Sequence, residues 1–410
     1  MHRVCLYFMT GKRGLVKSDS RLAGRMCTVF VTLSTLLGAP TQATPAASAT
    51  SDDLTFTLTA EHPFAAPTPP LEIREGWFPR GEAVDLDKAA ATSIPTFTRN
   101  VVARGKTYRV TLVGSDPFVK GAPKVVVPMQ IVPVRFEFDG VPFDPTLPSP
   151  ACAGGGSALS RVLESPIVQS VSYGDGKRQY EEEFRRLEFW SLTGAPGAIN
   201  PGYSVRVAAS VLPTVVVKLN GYPTQAAPCG RVGFFDFDTW DTMVRKQILP
   251  ALHGRGVNPR TFPLFLLFNV LMFDGDPQYC CTLGYHYAFN AFGGVQTYGV
   301  ANYDVSQRRE TSKDIAALSH ELAEWYDDPF INNPTPPWGH VGQVAECQNN
   351  LEVADPLTGA LHSIAMPNGF TYHPQELAFF SWFYNQVPSL GFKGWYSSGG
   401  TFRKPAPLCR

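Results

Sequence analysis

His320 and Glu324 stand four residues apart within Thr311 to Asp328, TSKDIAALSHELAEWYDD, and carry two metal-binding groups, an imidazole and a carboxylate. With Glu321 they spell His-Glu-x-x-Glu, a variant of the His-Glu-x-x-His helix element of zinc hydrolases. In that element, ligands one turn apart hold zinc and the intervening glutamate is the general base. A carboxylate oxygen binds zinc from the same position, so the spacing keeps its geometry. A one-histidine, carboxylate-rich set also suits harder cations such as calcium. Glu321 is the candidate base, taking a proton from a metal-activated water that attacks a carbonyl. The competing reading of the same five residues is a solvated helix face bearing ordinary carboxylates.

The elements that must position these groups begin with the helix itself. Thr311 and Asp314 have the form of a capping box, and Pro329 stands where a helix stops. At about 100° per residue, Ile315, Leu318, Leu322 and Trp325 form one stripe, and His320, Glu324 and Asp328 fall roughly opposite. That polar row faces solvent or a cleft.

The stretch Ser319-His-Glu-Leu-Ala-Glu324, then Asp328-Pro329, Trp338 and Leu351-Glu-Val-Ala-Asp355 resembles a group of secreted bacterial proteins of zincin-like type. More distantly it is similar to the plant EXORDIUM, or phosphate-induced protein, family. The match runs from about Tyr285 to Trp395. The family pattern often places Thr before Asp-Pro, and here Asp327 changes the local charge. The resemblance implies a third ligand well downstream of the helix, Glu352, with Asp355 orienting a ligating histidine. Asp328 and Glu346 are the competitors for that place. Tyr372-His373 could donate to a developing oxyanion; packing is the simpler role for His373, as it is for His286 in the Cys280 to His286 run.

The 410-residue chain is 44% apolar, enough for a large core in two subdomains. Lys+Arg and Asp+Glu are both 35, so charge suggests neither nucleic acid nor an anionic membrane as partner. Abundant Gly and Pro, 36 of each, suit a loop-rich and strand-rich secreted protein. Cys27 to Ala39 is a short apolar run behind Arg21 and Arg25, with small-residue cleavage sites after it, and reads as a secretory signal. No span follows it, so no membrane association is expected after cleavage. Six cysteines then remain, compatible with disulfides; position suggests Cys347 with Cys280 or Cys281. No G-x-S-x-G supports triad chemistry, and the Ala151 to Ser157 glycine cluster lacks a phosphate-loop ending.

Along the chain, 107–113, 124–138, 203–219 and 296–305 read as strands. The prolines of 124–138 place it at an edge or bend, and 296–305 looks like an edge. The continuous apolar run 261–273 suits a central strand buried on both faces. Helices are expected at 165–171, at 180–190 with a solvated charge run, at 238–253 capped by Asp238, and at 374–383.

The whole is expected to be α+β. Residues 1–49 form signal and leader, 50–99 a Pro/Ala-rich, loosely structured segment, 100–229 a strand-rich portion, and 230–410 a zincin-like metallohydrolase domain. The expected function is a secreted metal-dependent hydrolase of peptidase or amidase type. It would use zinc held by His320, Glu324 and Glu352 and act on a peptide, cell-wall or other extracellular substrate. The rival is a non-catalytic secreted or cell-surface binding protein whose His/Glu/Asp cluster is structural or holds calcium.

Overall fold

The computed structural model describes residues 53–67, 84, 89, 91–308 and 312–409. The expected signal and leader lie outside the described residues.

Alternating apolar strands build one eight-stranded sheet in a mixed α+β chain. Its order is β1 (Leu54–Thr59), β9 (Val215–Asn220), β4 (Val125–Phe138), β12 (Phe262–Phe268), β16 (Gly294–Tyr303) and β15 (Gly284–Ala291). Two further strands, β5 (Val141–Phe143) and β8 (Val205–Val211), also pair with β4. Pairing is parallel except for the β4–β5 and β15–β16 hairpins. Strands from both the 100–229 portion and the 230–410 portion therefore enter one sheet.

Side chains alternate across a strand, and here the two faces feed two cores. Leu264 and Leu266 of β12 join Leu318, Leu322 and Trp325 on one side, whereas Phe265 and Leu267 join Trp240, Val244 and Leu252 on the other. The motif helix thus covers one face of the sheet and the 237–253 helical stretch covers the other.

Several sequence expectations are corrected here. β4 is central, not an edge: one of its edges pairs with β8 up to Ile131 and with β9 from Val134, and Pro133 falls in the gap between them. β16 is wholly buried between β12 and β15, so β15 is the edge. The 261–273 run is two strands, β12 and β13 (Val270–Asp274), the second in a separate sheet with β10 (Thr224–Ala226), β11 (Arg231–Asp236) and β14 (Asp276–Thr282). Asn269 makes the break with φ +52°, and its side chain accepts from Val305 N. The segment 50–99 contributes β1 to the main sheet.

Short hairpins complete the β structure. They are β2 (Thr96–Ala103) with β3 (Lys106–Val113), β6 (Val171–Ser172) with β7 (Lys177–Arg178), β17 (Pro334–Val341) with β18 (Val344–Asn350), and β19 (Ile364–Ala365) with β20 (Thr371–Tyr372).

Helices shift similarly. α1 is Ala158–Glu164, capped by Ser157, and ends where a helix at 165–171 was expected. α2 (Tyr180–Glu188) and α3 (Trp190–Thr193) follow, and the α2 charges other than half-buried Glu182 are buried, not solvated. α4 (Phe237–Met243) is capped by Asp236, not Asp238, because the Asp236 carboxylate accepts from Thr239 N at 2.9 Å. A π-helical turn, Val244–Ile248, offsets the ladder ahead of Pro250, so α5 (Leu249–His253) continues past it. α6 (Ala316–Asp327) is the motif helix, and only α7 (Phe380–Phe383) of the expected 374–383 helix forms.

The disulfides are Cys152–Cys229, Cys280–Cys281 and Cys347–Cys409, so Cys347 does not pair with Cys280 or Cys281. No helix among the described residues is long and apolar enough to cross a membrane.

Candidate metal centre

α6 begins later than its sequence suggests. Asp314 caps nothing in the expected way: its carboxylate takes the backbone N–H of Ile315, and those of His373 and its ring as well. Thr311 lies outside the described residues. The helix ends at Asp327 ahead of Pro329, as expected. Every residue from Ala316 to Asp327 is buried, so the polar row meets neither solvent nor an open surface. It meets β15 on one side and the segments 350–357 and 375–383 on another.

β15 presents His286 to this helix. Gly284 lies two residues before it on the same face, and a Cβ there would stand 2.7 Å from Glu321 Cγ. Only a glycine lets Glu321 approach the strand so closely. His286, His320, Glu321, Glu324 and Glu352 all have no solvent exposure, and Asp355 has almost none.

Each histidine is held from outside the cluster. His286 Nε2 donates to the backbone carbonyl of Asp328 at 3.1 Å, which leaves Nδ1 as the inward lone pair. His286 Nδ1 lies 3.5 Å from Glu321 Oε2 and 3.9 Å from Glu324 Oε2, and makes no hydrogen bond. His320 Nδ1 faces Gln375 Oε1 at 3.1 Å. The Gln375 amide is set by donating from Nε2 to Ala354 O at 2.6 Å, so its oxygen must face the ring and Nδ1 must be the donor. His320 Nε2 is then aimed inward, 3.2 Å from Glu324 Oε1 and 3.4 Å from Asp355 Oδ1 but misaligned for a hydrogen bond to either.

The carboxylates show the same pattern of one satisfied end and one orphaned end. Glu324 Oε1 accepts from the backbone N–H groups of Ala354 and Asp355 at 3.2 and 3.3 Å, while Oε2 has no partner. Glu352 Oε1 accepts from Asn350 Nδ2 at 2.9 Å, while Oε2 has none. Neither oxygen of Glu321 completes a hydrogen bond; the backbone N–H of His286 acts on it without closing one. Asp355 accepts from Gln343 and from Gln348, the latter at 3.2 Å.

Such acceptors face one another only at a cost, and the protonation preferences show it. Burial, then Glu324, Asp328 and Asp355, hold the Glu352 carboxyl well above the usual range. Burial raises Glu321 likewise, against the pull of His320. Asp355 is raised to about 7 by burial and by Glu324. Burial pushes His286 down to about 4, whereas at His320 the burial penalty is outweighed by Glu324, Asp355 and Glu321, and its affinity for a proton rises.

A cation among the orphaned atoms removes the conflict. Zinc bonds of about 2.0–2.1 Å in a tetrahedron leave ligand atoms about 3.3 Å apart, close to the spacings here. Ligand atoms of His286, Glu324 and Glu352 lie within 4.8 Å of one another, as do those of His320, Glu321 and Glu324. Calcium takes oxygen ligands, so two inward imidazoles favour zinc or a similar transition metal. A third gathering, His340, Cys347 and Cys409, has both thiols tied in a disulfide.

Of the sequence-derived candidates, the structure brings His320, Glu321, Glu324, Glu352 and Asp355 together. Glu352 falls in with His286 and Glu324. His373 is held elsewhere, its Nδ1 2.6 Å from Asp314 Oδ2 ahead of the helix. Sequence reasoning did not bring His286 into this cluster, nor Gln375 and Asn350 as the hydrogen-bond partners of His320 and Glu352. Gly284 and His286, alternate residues of a strand just upstream of the motif, were the available signal. Comparison with protein-family models, curated proteins and solved structures finds no match to this chain.

Proposed function

We propose that this chain is a metal-dependent hydrolase of peptidase or amidase type with a zincin-like centre on α6. One observation carries the reading: both buried histidines are fixed by outside partners so that each turns an unpartnered ring nitrogen toward the carboxylates of the cluster, His286 toward the unpartnered oxygens of Glu321 and Glu324 and His320 toward Glu324 and Asp355. That is how metal-ligating histidines are oriented. His286, Glu324 and Glu352 would hold the ion, with His320 and Asp355 beside them. A zinc ion held there supplies Lewis acidity, polarising a carbonyl and making water acidic. Glu321 lies 3.5 Å from His286 Nδ1 with both oxygens uncommitted, which supports its role as the base that takes the proton from water. The three disulfides support export into an oxidising compartment and an extracellular substrate.

The complete enclosure of these residues favours a second reading, a structural ion in a non-catalytic secreted or cell-surface protein. Zinc-loaded protein should cleave a denatured-protein or peptide-amide mixture, and Glu321→Gln should stop cleavage while zinc remains bound. Bound zinc with no hydrolysis in wild type establishes the second reading. No tight metal at all defeats both.

A further inference from the structure

We propose that the centre takes two cations, bridged by Glu324, with His286 and His320 serving different ions. This rests on the metal-site reading above and extends it. Two ligand groups share Glu324, one with His286 and Glu352 and the other with His320 and Glu321, and Glu321 Oε2 also lies 3.5 Å from His286 Nδ1. Glu324 lies between the two histidines: its orphaned Oε2 faces His286 at 3.9 Å, and its Oε1, which also accepts from the Ala354 and Asp355 amides at 3.2 and 3.3 Å, faces His320 at 3.2 Å. A carboxylate that turns one oxygen to each histidine spans two ions at the roughly 3.5–4 Å separation of two-metal sites.

The histidines also come from opposite sides. His286 projects from β15 and is held by the Asp328 carbonyl; His320 projects from α6 and is held by Gln375. A single ion would leave one of these aimed rings facing carboxylates without a partner, and a buried polar group without a partner is costly. Charge points the same way. Glu321, Glu324, Glu352 and Asp355 bring four carboxylates into a region with no solvent exposure at three of them and 2% at Asp355. One dication leaves half of that charge unbalanced in a buried space, and two dications balance it. Glu321 has two uncommitted oxygens, so one can reach the second ion while the other remains for a proton.

The test is zinc stoichiometry. Metal-free full-length protein is refolded or incubated with zinc alone, desalted, and analysed by mass spectrometry beside a protein quantitation. Two zinc ions per chain are expected in wild type, with one in His286→Ala and one in His320→Ala. Circular dichroism of each variant checks folding, and the wild-type count stands even where a variant does not fold. Manganese loading gives an independent readout: a bridged pair shows spin coupling in electron paramagnetic resonance, and isolated ions show separate six-line signals. One tight zinc in wild type, or uncoupled manganese, overturns the two-ion proposal and leaves the metal-site reading standing. No zinc in wild type overturns both.

Discussion

Arg185 and Asp327 form an ion pair in which neither side chain has any solvent exposure. Arg185 belongs to α2 and Asp327 is the last residue of α6, three residues beyond Glu324. The guanidinium also reaches Glu188 at 3.0 Å and donates to the carbonyls of Val113 and Tyr326. It therefore ties the C-terminal end of the motif helix to β3 and α2, and so fixes where Glu324 points.

Arg185→Leu should destabilise the protein by about 3–5 kcal/mol, because it strands Asp327 and Glu188 as buried acids without a counter-charge. Adding Asp327→Asn should recover part of that loss. Urea denaturation of the two single variants and the double variant measures the coupling; simple additivity would show that the pair is not the anchor.

Gln375→Leu should weaken zinc binding about 10–100-fold, because the ring of His320 loses the acceptor that sets its tautomer. Gln375→Glu keeps an acceptor at that point and should bind zinc more tightly than Gln375→Leu. Competition against a chromophoric chelator reads both. Equal affinity in all three proteins would remove Gln375 from the site.

Metal removal should lower thermal stability, and returning zinc should restore it. Free zinc at a thousand times its dissociation constant adds about 4 kcal/mol when it binds only the folded state. A melting temperature that ignores zinc over that range would mean no ion is linked to folding.

Glu181 supplies the pH prediction. It is 2% exposed, and burial holds its carboxyl well above the ordinary value of 4.5. The folded state therefore keeps a proton that the unfolded chain releases. The stability this contributes is fully present below the unfolded pKa and is lost as pH rises toward the folded pKa. Glu181→Gln, which stays neutral, should lack that decline above about pH 4.5. Denaturation midpoints across a pH series test it, and parallel curves for the two proteins would contradict it.

Much of the scaffold was legible because periodicity reports burial. The runs read at 107–113, 124–138 and 203–219 contain strands, the last of them two. The pattern reports burial but not neighbours, so it does not reveal that β16 lies between two strands or that most of the α2 charges face protein. Arg185 pairs locally with Glu188, but its other acid, Asp327, lies 142 positions away, and no local rule reaches that far. His320, Glu321 and Glu324 were legible from spacing, and Glu352 and Asp355 from resemblance. His286 was not, because a single histidine in a strand carries no spacing signal until the sheet register sets it against α6.

The enclosure of the cluster sets a timescale. With no exposure at His286, His320, Glu321, Glu324 or Glu352, an ion in this chamber exchanges no faster than the surrounding segments open. β15, α6 and the 350–357 strip must all be in place to close it. An ion of the proposed kind would then enter during folding or during such an opening, and its identity would record which ions were present at those times.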